Sequence, residues 1–344
     1  MTTKHRIALI GLGMGSTPHA QSLNDLKARV EVAAAYTRSA ERASTFAKRF
    51  SFPLSHDLAD IAADASITCV LIATPPSSHL ELVEYFAAAG KHILLEKPLD
   101  VSVARAEALV TACARHQVRL GVVFQHRFRP AALRLRDLVQ AGALGPIVVA
   151  NVYVPWWRPQ SYYDVPGRGT LARDGGGVLI TQAIHTLDLF LSLIDGVSEV
   201  MAYGGTTALH QMETEDTVAA ALRLKGGGFG SLAATTASYP GFGESIELIG
   251  ANGTARLAGA ELNVHFHDGR VEHAGEAAAT GGGADPMAFT NEAHRAVLAE
   301  FLDAIEHNRE PVNSGRAGLK VHYLIEALLD SVRHRTPAVV AGVV

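Results

Sequence analysis

Cysteine is nearly missing. Cys69 and Cys113 are the only two in 344 residues, too few for a disulfide framework or a thiolate metal site, and the usage fits a reducing compartment, the cytoplasm. Neither sign of charge is in excess: 30 Lys and Arg against 34 Asp and Glu leave a formal charge of −4. That gives no basic field to hold a polyphosphate backbone and argues against nucleic acid as a partner. Long apolar runs are lacking too. The first, Ile7 to Ile10 behind Lys4, His5 and Arg6, breaks at Gly11, far short of a secretory core. No stretch shows the ~18 successive apolar residues of a spanning helix, so neither an export signal nor a membrane span is expected. Aromatics make up only 6%, with two tryptophans. What is abundant is aliphatic: 48% hydrophobic against 19% charged residues can bury a substantial core, which excludes disorder, a collagen repeat and a coiled coil. At about 150 residues per domain the length suggests two domains.

The first third alternates short apolar runs with helical stretches. Ile7–Ile10, Val30–Tyr36, Thr68–Ala73, His92–Leu95 and Arg119–Val123 read as strands, several apolar enough to be covered on both faces. Pro18–Lys27, Ala40–Arg49, His79–Ala89 and Ser102–His116 have helical spacing between them. Parallel neighbours need crossover connections, so this rhythm implies a doubly wound parallel sheet over residues 1–123. Residues 124–344 form a second, α+β domain. Helices at Ala131–Ala141 and Val178–Leu193 accompany strands at Ile147–Val154, Glu199–Tyr203, Thr217–Leu224, Gly230–Ser238, Ser245–Ile249 and Ala255–Leu257. Turns such as Lys225-Gly226-Gly227-Gly228 and Ala251-Asn252-Gly253 suit antiparallel connections. Helices near Thr290–His307 and Gly318–Arg335 close the chain, after a glycine-rich surface loop at Gly275–Asp285. There is no internal repeat.

Gly11-Leu12-Gly13-Met14-Gly15-Ser16 follows the first strand directly and precedes a helix opened by Ser16-Thr17-Pro18. Gly11, Gly13 and Gly15, with Met14 between them, let the chain turn tightly and a pyrophosphate approach the backbone at a helix N-terminus. Alone the triad is weak evidence; at the first strand-to-helix junction of an alternating domain it points to a dinucleotide. The second strand ends Tyr36-Thr37-Arg38-Ser39, with no acid between Glu31 and Glu41. An NAD-preferring site places a carboxylate there. Arg38 instead suits a 2′-phosphate, with Thr37 and Ser39 as hydrogen-bond donors; the plain alternative is a solvated helix-entry charge. NADP(H) is expected to be preferred over NAD(H).

Three further segments hold chemistry. Thr74-Pro75-Pro76 with His79, and Glu96-Lys97-Pro98, each follow a parallel strand at the end where open α/β sheets bind ligands. Asp174-Gly175-Gly176-Gly177 opens a helix carrying Thr181, Gln182, His185 and Asp188, with Thr181 and His185 one turn apart on a shared face.

With these segments in order, followed by Arg127-Phe128 and Glu213-x-Glu215-Asp216, the chain resembles the glucose-fructose oxidoreductase, inositol dehydrogenase and MocA (Gfo/Idh/MocA) family over nearly its whole length. The resemblance implies a Rossmann domain joined to a mostly antiparallel, open-faced sheet domain that mediates oligomerisation, as a homodimer or homotetramer. It implies NAD(P)-dependent oxidation or reduction of a carbinol or carbonyl of a sugar, polyol or related compound. Lys97 is then the active-site lysine, with a cis peptide before Pro98, polarising the reacting oxygen or moving its proton. Glu96 orients Lys97 or contacts the cofactor, beside Thr74, Pro75 and His79. His185 aligns with the family's acid/base histidine, whose imidazole titrates near neutrality. One departure stands out: where many relatives carry an aspartate four residues before that histidine, this chain has Thr181, which supplies no anion to raise a neighbour's pKa. The division of labour between Lys97 and His185 is left open. Asp174 reads as a helix cap and Asp188 as a structural acceptor.

Both tryptophans sit together in Val154-Pro155-Trp156-Trp157-Arg158, followed by Tyr162, Tyr163 and Arg168. Flat rings suit sugar faces and arginines suit carboxylates or phosphates; a dimer contact or core packing is the equal alternative. Adjacent strand residues face opposite sides, so one tryptophan is expected to line the pocket. Gln125 and His126 either contact cofactor or substrate, or satisfy backbone at the domain joint. The 16 histidines are scattered, and His265-Phe266-His267 reads as a solvated strand face, so no metal is expected. Two rivals share the fold: a redox-silent cofactor-sensing protein, and a glycosidase that uses nicotinamide without net consumption.

Overall fold

The structure, a computed structural model, describes residues 4–276 and 290–342. It divides into two compact units, Met1–Gln125 with Thr290–Leu319, and His126–Phe289 with Lys320–Val344.

In the first unit, β1 (His5–Ile10), α1 (Thr17–Asp25), β2 (Val30–Tyr36), α2 (Ala40–Ala47), β3 (Leu54–Ser55), α3 (Leu58–Ala63), β4 (Cys69–Ile72), α4 (His79–Ala88), β5 (His92–Leu95), α5 (Val103–Arg115) and β6 (Leu120–Val122) alternate. They give a six-stranded parallel sheet in the order β3-β2-β1-β4-β5-β6. Every residue of β4 is buried, as befits a strand covered on both faces. The helices begin where a side chain replaces the missing turn: Ser39, Asp57 and Ser102 accept from Arg42, Ala59 and Arg105 N–H. The strand order reverses between β1 and β4, which opens a crevice at their carboxyl ends. β3 and α3 are not anticipated from sequence, because two- and six-residue elements are too short to show a period.

The second unit contains α6 (Pro130–Gln140), β7 (Ile147–Pro155), α7 (Gln160–Tyr163), α8 (Leu171–Asp174), a π-helical turn (Leu179–Ala183) and α9 (Ile184–Leu193). Then come β8 (Val197–Gly205), β9 (Thr217–Leu224), β10 (Phe229–Thr235), β11 (Ser245–Gly250), β12 (Gly253–Ala258), β13 (Glu261–Phe266) and β14 (Val271–Ala274). With a short strand near the C-terminus they build a nine-stranded sheet. Its pairs are antiparallel except β7 with β10. Burial alternates along β11 and β13, so one face is packed and the other open. The open face is a shallow hollow lined by Tyr153, Met201, Tyr203, Ala219, Ser231 and Arg256 among others. His265 and His267 are exposed around buried Phe266, a solvated strand face. β13 and β14 went unassigned in the sequence, although Glu261–Phe266 alternates polar and apolar residues strictly; β14 has only four residues.

α10 (Glu292–Glu306) returns to the first unit, and α11 (Gly315–His334) begins there and continues into the second, followed by β15 (Ala338–Val339). This corrects the linear division at residue 123. α10 belongs with the Rossmann sheet because Arg29 binds Asp303 and Glu306 at 2.7 and 2.8 Å, and His5 also binds Glu306 at 3.0 Å. From residue 277, the glycine-rich Gly275–Asp285 segment lies outside the described residues.

Leu171–Leu193, 23 residues with an 18-residue window of mean hydropathy 1.3, is long and apolar enough to cross a membrane by length and composition, although Arg173, Asp174 and Asp188 interrupt it; 83% of that window is buried inside the protein. Its apolarity serves a core. Both cysteines are free and buried, and burial pushes each thiol up to about 12.

His322 on α11 is buried, and desolvation lowers its pKa to about 4 from 6.5. The unfolded chain binds this proton more readily, so His322 adds stability above pH 6.5 that is lost as pH falls toward 4. Across that window this residue is expected to cost up to about 1.4 kcal/mol per pH unit. Thermal unfolding of His322→Leu beside the wild type between pH 7 and 4.5 checks it; the variant's midpoint is expected to fall less steeply, and parallel curves would refute the assignment.

Candidate functional site

The first unit supplies a cradle. Gly11 has φ +97°, and a Cβ there would lie 2.6 Å from the Ala73 carbonyl oxygen, so only glycine passes the end of β4 in this turn. At Gly13 and Gly15 a Cβ would meet nothing within 4 Å, leaving open space before the backbone. Ser16, which departs from the usual small third residue, donates its hydroxyl to Gly13 O at 2.7 Å and braces the turn. α1 then begins with Pro18 in its first turn, presenting unpaired N–H groups toward that space. Gln125 Oε1, just past β6, is buried without a hydrogen-bond partner. Open glycines, a helix N-terminus and an orphaned acceptor fit a dinucleotide. At the end of β2, Ser39 caps α2 and Thr37 Oγ1 accepts from Ser39 N at 3.4 Å. Exposed Arg38 has no ion pair among the described residues.

Lys97 follows β5 and precedes a cis peptide to Pro98. Glu96 Oε2 accepts from Lys97 N at 3.0 Å, and Glu96 Oε1 meets His19 Nε2 at 2.6 Å. Burial alone would raise the Glu96 carboxyl, but the His19 hydrogen bond and the charges of His19, His294 and Lys97 hold it below the usual range. The anion beside Lys97 is therefore Glu96. His79 is wholly buried, with Nδ1 against the Pro98 and Leu99 carbonyls (3.0 and 3.1 Å) and Nε2 against Thr74 O (2.9 Å). It ties the Thr74-Pro75 loop to the Pro98 segment, so its place is a support beneath the site and not a cofactor contact.

His19, Glu96 and His294 bring three ligand atoms within 4.8 Å of one another, a cluster the scattered histidines gave no hint of. Tetrahedral ligands at Zn distances stand about 3.3 Å apart. The 2.6 Å His19–Glu96 separation is that of a charge-assisted hydrogen bond, closed by a proton.

In the second unit, Gly177 lies so close to Glu215 that a Cβ would sit 1.8 Å from its carbonyl oxygen. The Glu215 carboxylate accepts from Gly177 N and Leu179 N (3.2 and 3.3 Å) and anchors the start of the helix that carries His185. Burial raises its pKa. The π-helical turn contains Thr181, so the Thr181–His185 register is not that of a regular α-helix. The Thr181 hydroxyl faces Gly177 O at 2.6 Å and also Gln182 Oε1.

The His185 ring stacks on His126 with centroids 5.0 Å apart at 27°. Arg129 Nη2 lies 2.7 Å from His126 Nε2, and Arg129 Nη1 binds Glu244, whose other oxygen accepts from Trp156 Nε1 at 3.2 Å. One turn beyond His185, Asp188 takes a two-pronged bond from Arg127 (2.6 and 2.5 Å). Asp174 does not cap a helix; it accepts from Gly169 N at 2.9 Å. Trp156 is buried, whereas half-exposed Trp157 packs edge-on against Tyr239 at 5.5 Å. Tyr163 OH meets Thr236 Oγ1 at 2.7 Å. Sequence reading missed His19, Arg129, Glu244 and the buried His210–Asp216 pair, whose Nδ1 and Oδ2 lie 2.8 Å apart. Glu244 stands 115 residues from Arg129, with no local motif to mark it.

Residues 5–124 match the model described as oxidoreductase family, NAD-binding Rossmann fold, and residues 132–256 match the GFO/IDH/MocA C-terminal domain. The chain is similar to D-apiose dehydrogenase of Paraburkholderia graminis, 29% identical over 95% of this chain and 87% of that protein. It is similar to inositol 2-dehydrogenase of Rhizobium meliloti, 26% identical over 96% and 97%. Among solved structures, the WlbA dehydrogenase of Bordetella pertussis, in complex with NADH and UDP-GlcNAcA, superposes with a TM-score of 0.83 at 29% identity, covering 98% of this chain and 99% of that one. With both domain models matched in order over the two sheets just described, this chain belongs to the Gfo/Idh/MocA family of NAD-dependent oxidoreductases.

Proposed function

We propose that this chain transfers hydride between a nicotinamide and a carbinol or carbonyl carbon of a sugar, polyol or related carbohydrate derivative. The observation that carries this reading is the open Gly13–Gly15 cradle together with Lys97, held by ionised Glu96, on one parallel sheet. The names of the D-apiose and inositol dehydrogenases support a sugar-like substrate. When bound, the nicotinamide supplies or accepts the hydride. The residues do the rest. Lys97 offers its ammonium to the reacting oxygen, stabilising the charge that develops there. His185 takes the hydroxyl proton during oxidation and returns it in reduction. Trp157, Tyr162 and Arg158 contact the substrate body, and Gln125 and His126 stand as further contacts. The open face of the nine-stranded sheet, with Tyr153 and Tyr203 exposed on it, supports a homodimer or homotetramer, and the buried free thiols suit the cytoplasm.

Within the nicotinamides the proposed preference is NADP(H), with NAD(H) also used, because exposed Arg38 stands where an NAD-preferring site has a carboxylate. The WlbA relative was solved with NADH, so a direct test is needed. Arg38→Ala is expected to raise KM for NADP(H) about tenfold, the scale of one charge-assisted bond, and to leave KM for NAD(H) within about twofold. Equal changes would remove the preference. The function itself is tested by nicotinamide absorbance across polyols, aldoses, sugar lactones and sugar acids with both cofactors. No turnover anywhere would favour a redox-silent protein, and glycoside cleavage without net absorbance change a glycosidase.

A further inference from the structure

Two buried histidines bracket the turn that carries Lys97, and they are spent differently. His79, from α4, sets both ring nitrogens against backbone carbonyls, those of Pro98 and Leu99 on one side and Thr74 on the other. It braces a loop, as core histidines do. His19, from α1, is 2% exposed, yet its Nε2 lies 2.6 Å from Glu96 Oε1. An ionised carboxylate can only accept, so the imidazole donates. The second oxygen of the same carboxylate, Oε2, accepts from the Lys97 backbone N–H at 3.0 Å. One acid thus joins a helix to the backbone of the candidate active-site lysine.

That helix is the one that opens on the glycine turn. α1 starts at Thr17, directly after Gly13 to Ser16, and His19 stands in its first turn. α1 is held in place by the start of α10. The His294 ring meets the His19 ring edge-on with centroids 5.2 Å apart, and Asn291 donates to Ser22 and Asp25 at 3.3 and 2.8 Å. Burial works against the Glu96 charge, and the His19 bond with the charges of His19, His294 and Lys97 outweighs it. A pair taken largely out of water is a weak source of stability, because desolvation offsets most of the attraction. What such a pair supplies is a fixed geometry.

We propose that His19 is a positioning residue for the reaction: through Glu96 it fixes the Lys97 backbone relative to the helix whose N-terminus faces the dinucleotide. The inference rests on the hydride-transfer reading above and adds to it a residue that acts through another side chain. A displacement of about 1 Å at a reacting group costs on the order of 10²-fold in rate. A lysine whose turn drifts therefore loses rate while the cofactor still binds.

Two substitutions of one chemical kind separate this role from plain packing. His19→Gln puts an amide N–H where Nε2 stands, whereas His19→Asn stops one bond short, near the place of Nδ1. Amide hydrogen exchange on the cofactor-free protein reads the Lys97 N–H without turnover. It is expected to be at least about tenfold faster in His19→Asn than in the wild type, and within about threefold of it in His19→Gln. With the best substrate from the screen, His19→Asn is expected to lower kcat at least about tenfold and leave the nicotinamide KM within about threefold. His19→Gln should recover most of that kcat. On a Glu96→Gln background, His19→Asn should change kcat by less than about twofold, because its action runs through that carboxylate. Gln and Asn variants alike in exchange, or His19 and Glu96 effects that multiply, overturn the role. Faster exchange in His19→Asn, with no hydride transfer by the wild type, would leave the hold on Lys97 standing and count against the enzymatic reading.

Discussion

Replacing Lys97 by Met is expected to lower kcat by two or more orders of magnitude, and His185→Ala to do the same, the range that one positioned acid or base supplies. Nicotinamide affinity should change less than tenfold in both variants, because the cradle at Gly11, Gly13 and Gly15 is backbone. Stopped-flow turnover with the best substrate from the screen, beside cofactor binding by fluorescence, measures the split. The two variants are also expected to differ. The ionised Glu96 carboxylate accepts from the Lys97 backbone N–H and fixes that residue at the strand end, so replacing the Lys97 side chain removes its positive charge and slows the reaction at every pH. The imidazole of His185 lies stacked on His126, which is bound by Arg129, and its loss removes the group proposed to exchange the substrate proton, so a pH-dependent limb of the rate profile should vanish. Rates near wild type in both variants would end the assignment. A limb lost with Lys97 and kept with His185→Ala would exchange their roles.

Arg127→Leu should be among the most destabilising single changes in the second unit, at about 3–5 kcal/mol, because it strands a buried carboxylate. Asp188 is 1% exposed and both its oxygens are taken by Arg127. Burial already pushes the Asp188 carboxyl up, and Arg127 acts against that rise. Once the guanidinium is gone, Asp188 must take up a proton, so the deficit should shrink as pH falls toward 5. The double variant Arg127→Leu/Asp188→Leu is expected to recover most of the loss, since an apolar pair of similar volume needs no compensation. Urea denaturation of the three variants decides it. A double variant as unstable as the single one would mean that the pair is held by something other than charge. The Arg127-Phe128 motif is then a brace one turn beyond His185 rather than a substrate contact.

Much of this protein was open to reading before any coordinates. The parallel sheet showed in the apolar continuity of Val70-Leu71-Ile72 and Ile93-Leu94-Leu95, and the cradle in three glycines at a strand-to-helix junction. These are local matters: a strand covered on both faces excludes polar residues, and a turn that passes 2.6 Å from the Ala73 carbonyl excludes a Cβ. Short elements such as β3 and β15 left no period to detect. Asp174 looked like a cap because acids favour helix starts, yet its oxygen is spent on Gly169 N.

The amino-acid order by itself determined the two-domain plan, the nicotinamide cradle and the candidates Lys97 and His185, because each depends on residues within a few positions of one another. Only the tertiary structure decided that Glu96 is held by His19, 77 residues away, that Glu244 binds Arg129, 115 residues away, beside the histidine stacked on His185, and that α10 belongs to the first unit. Those pairings join groups far apart in the chain. A buried charge must find a partner somewhere, but which partner is set by the packing of whole elements, which no local pattern records.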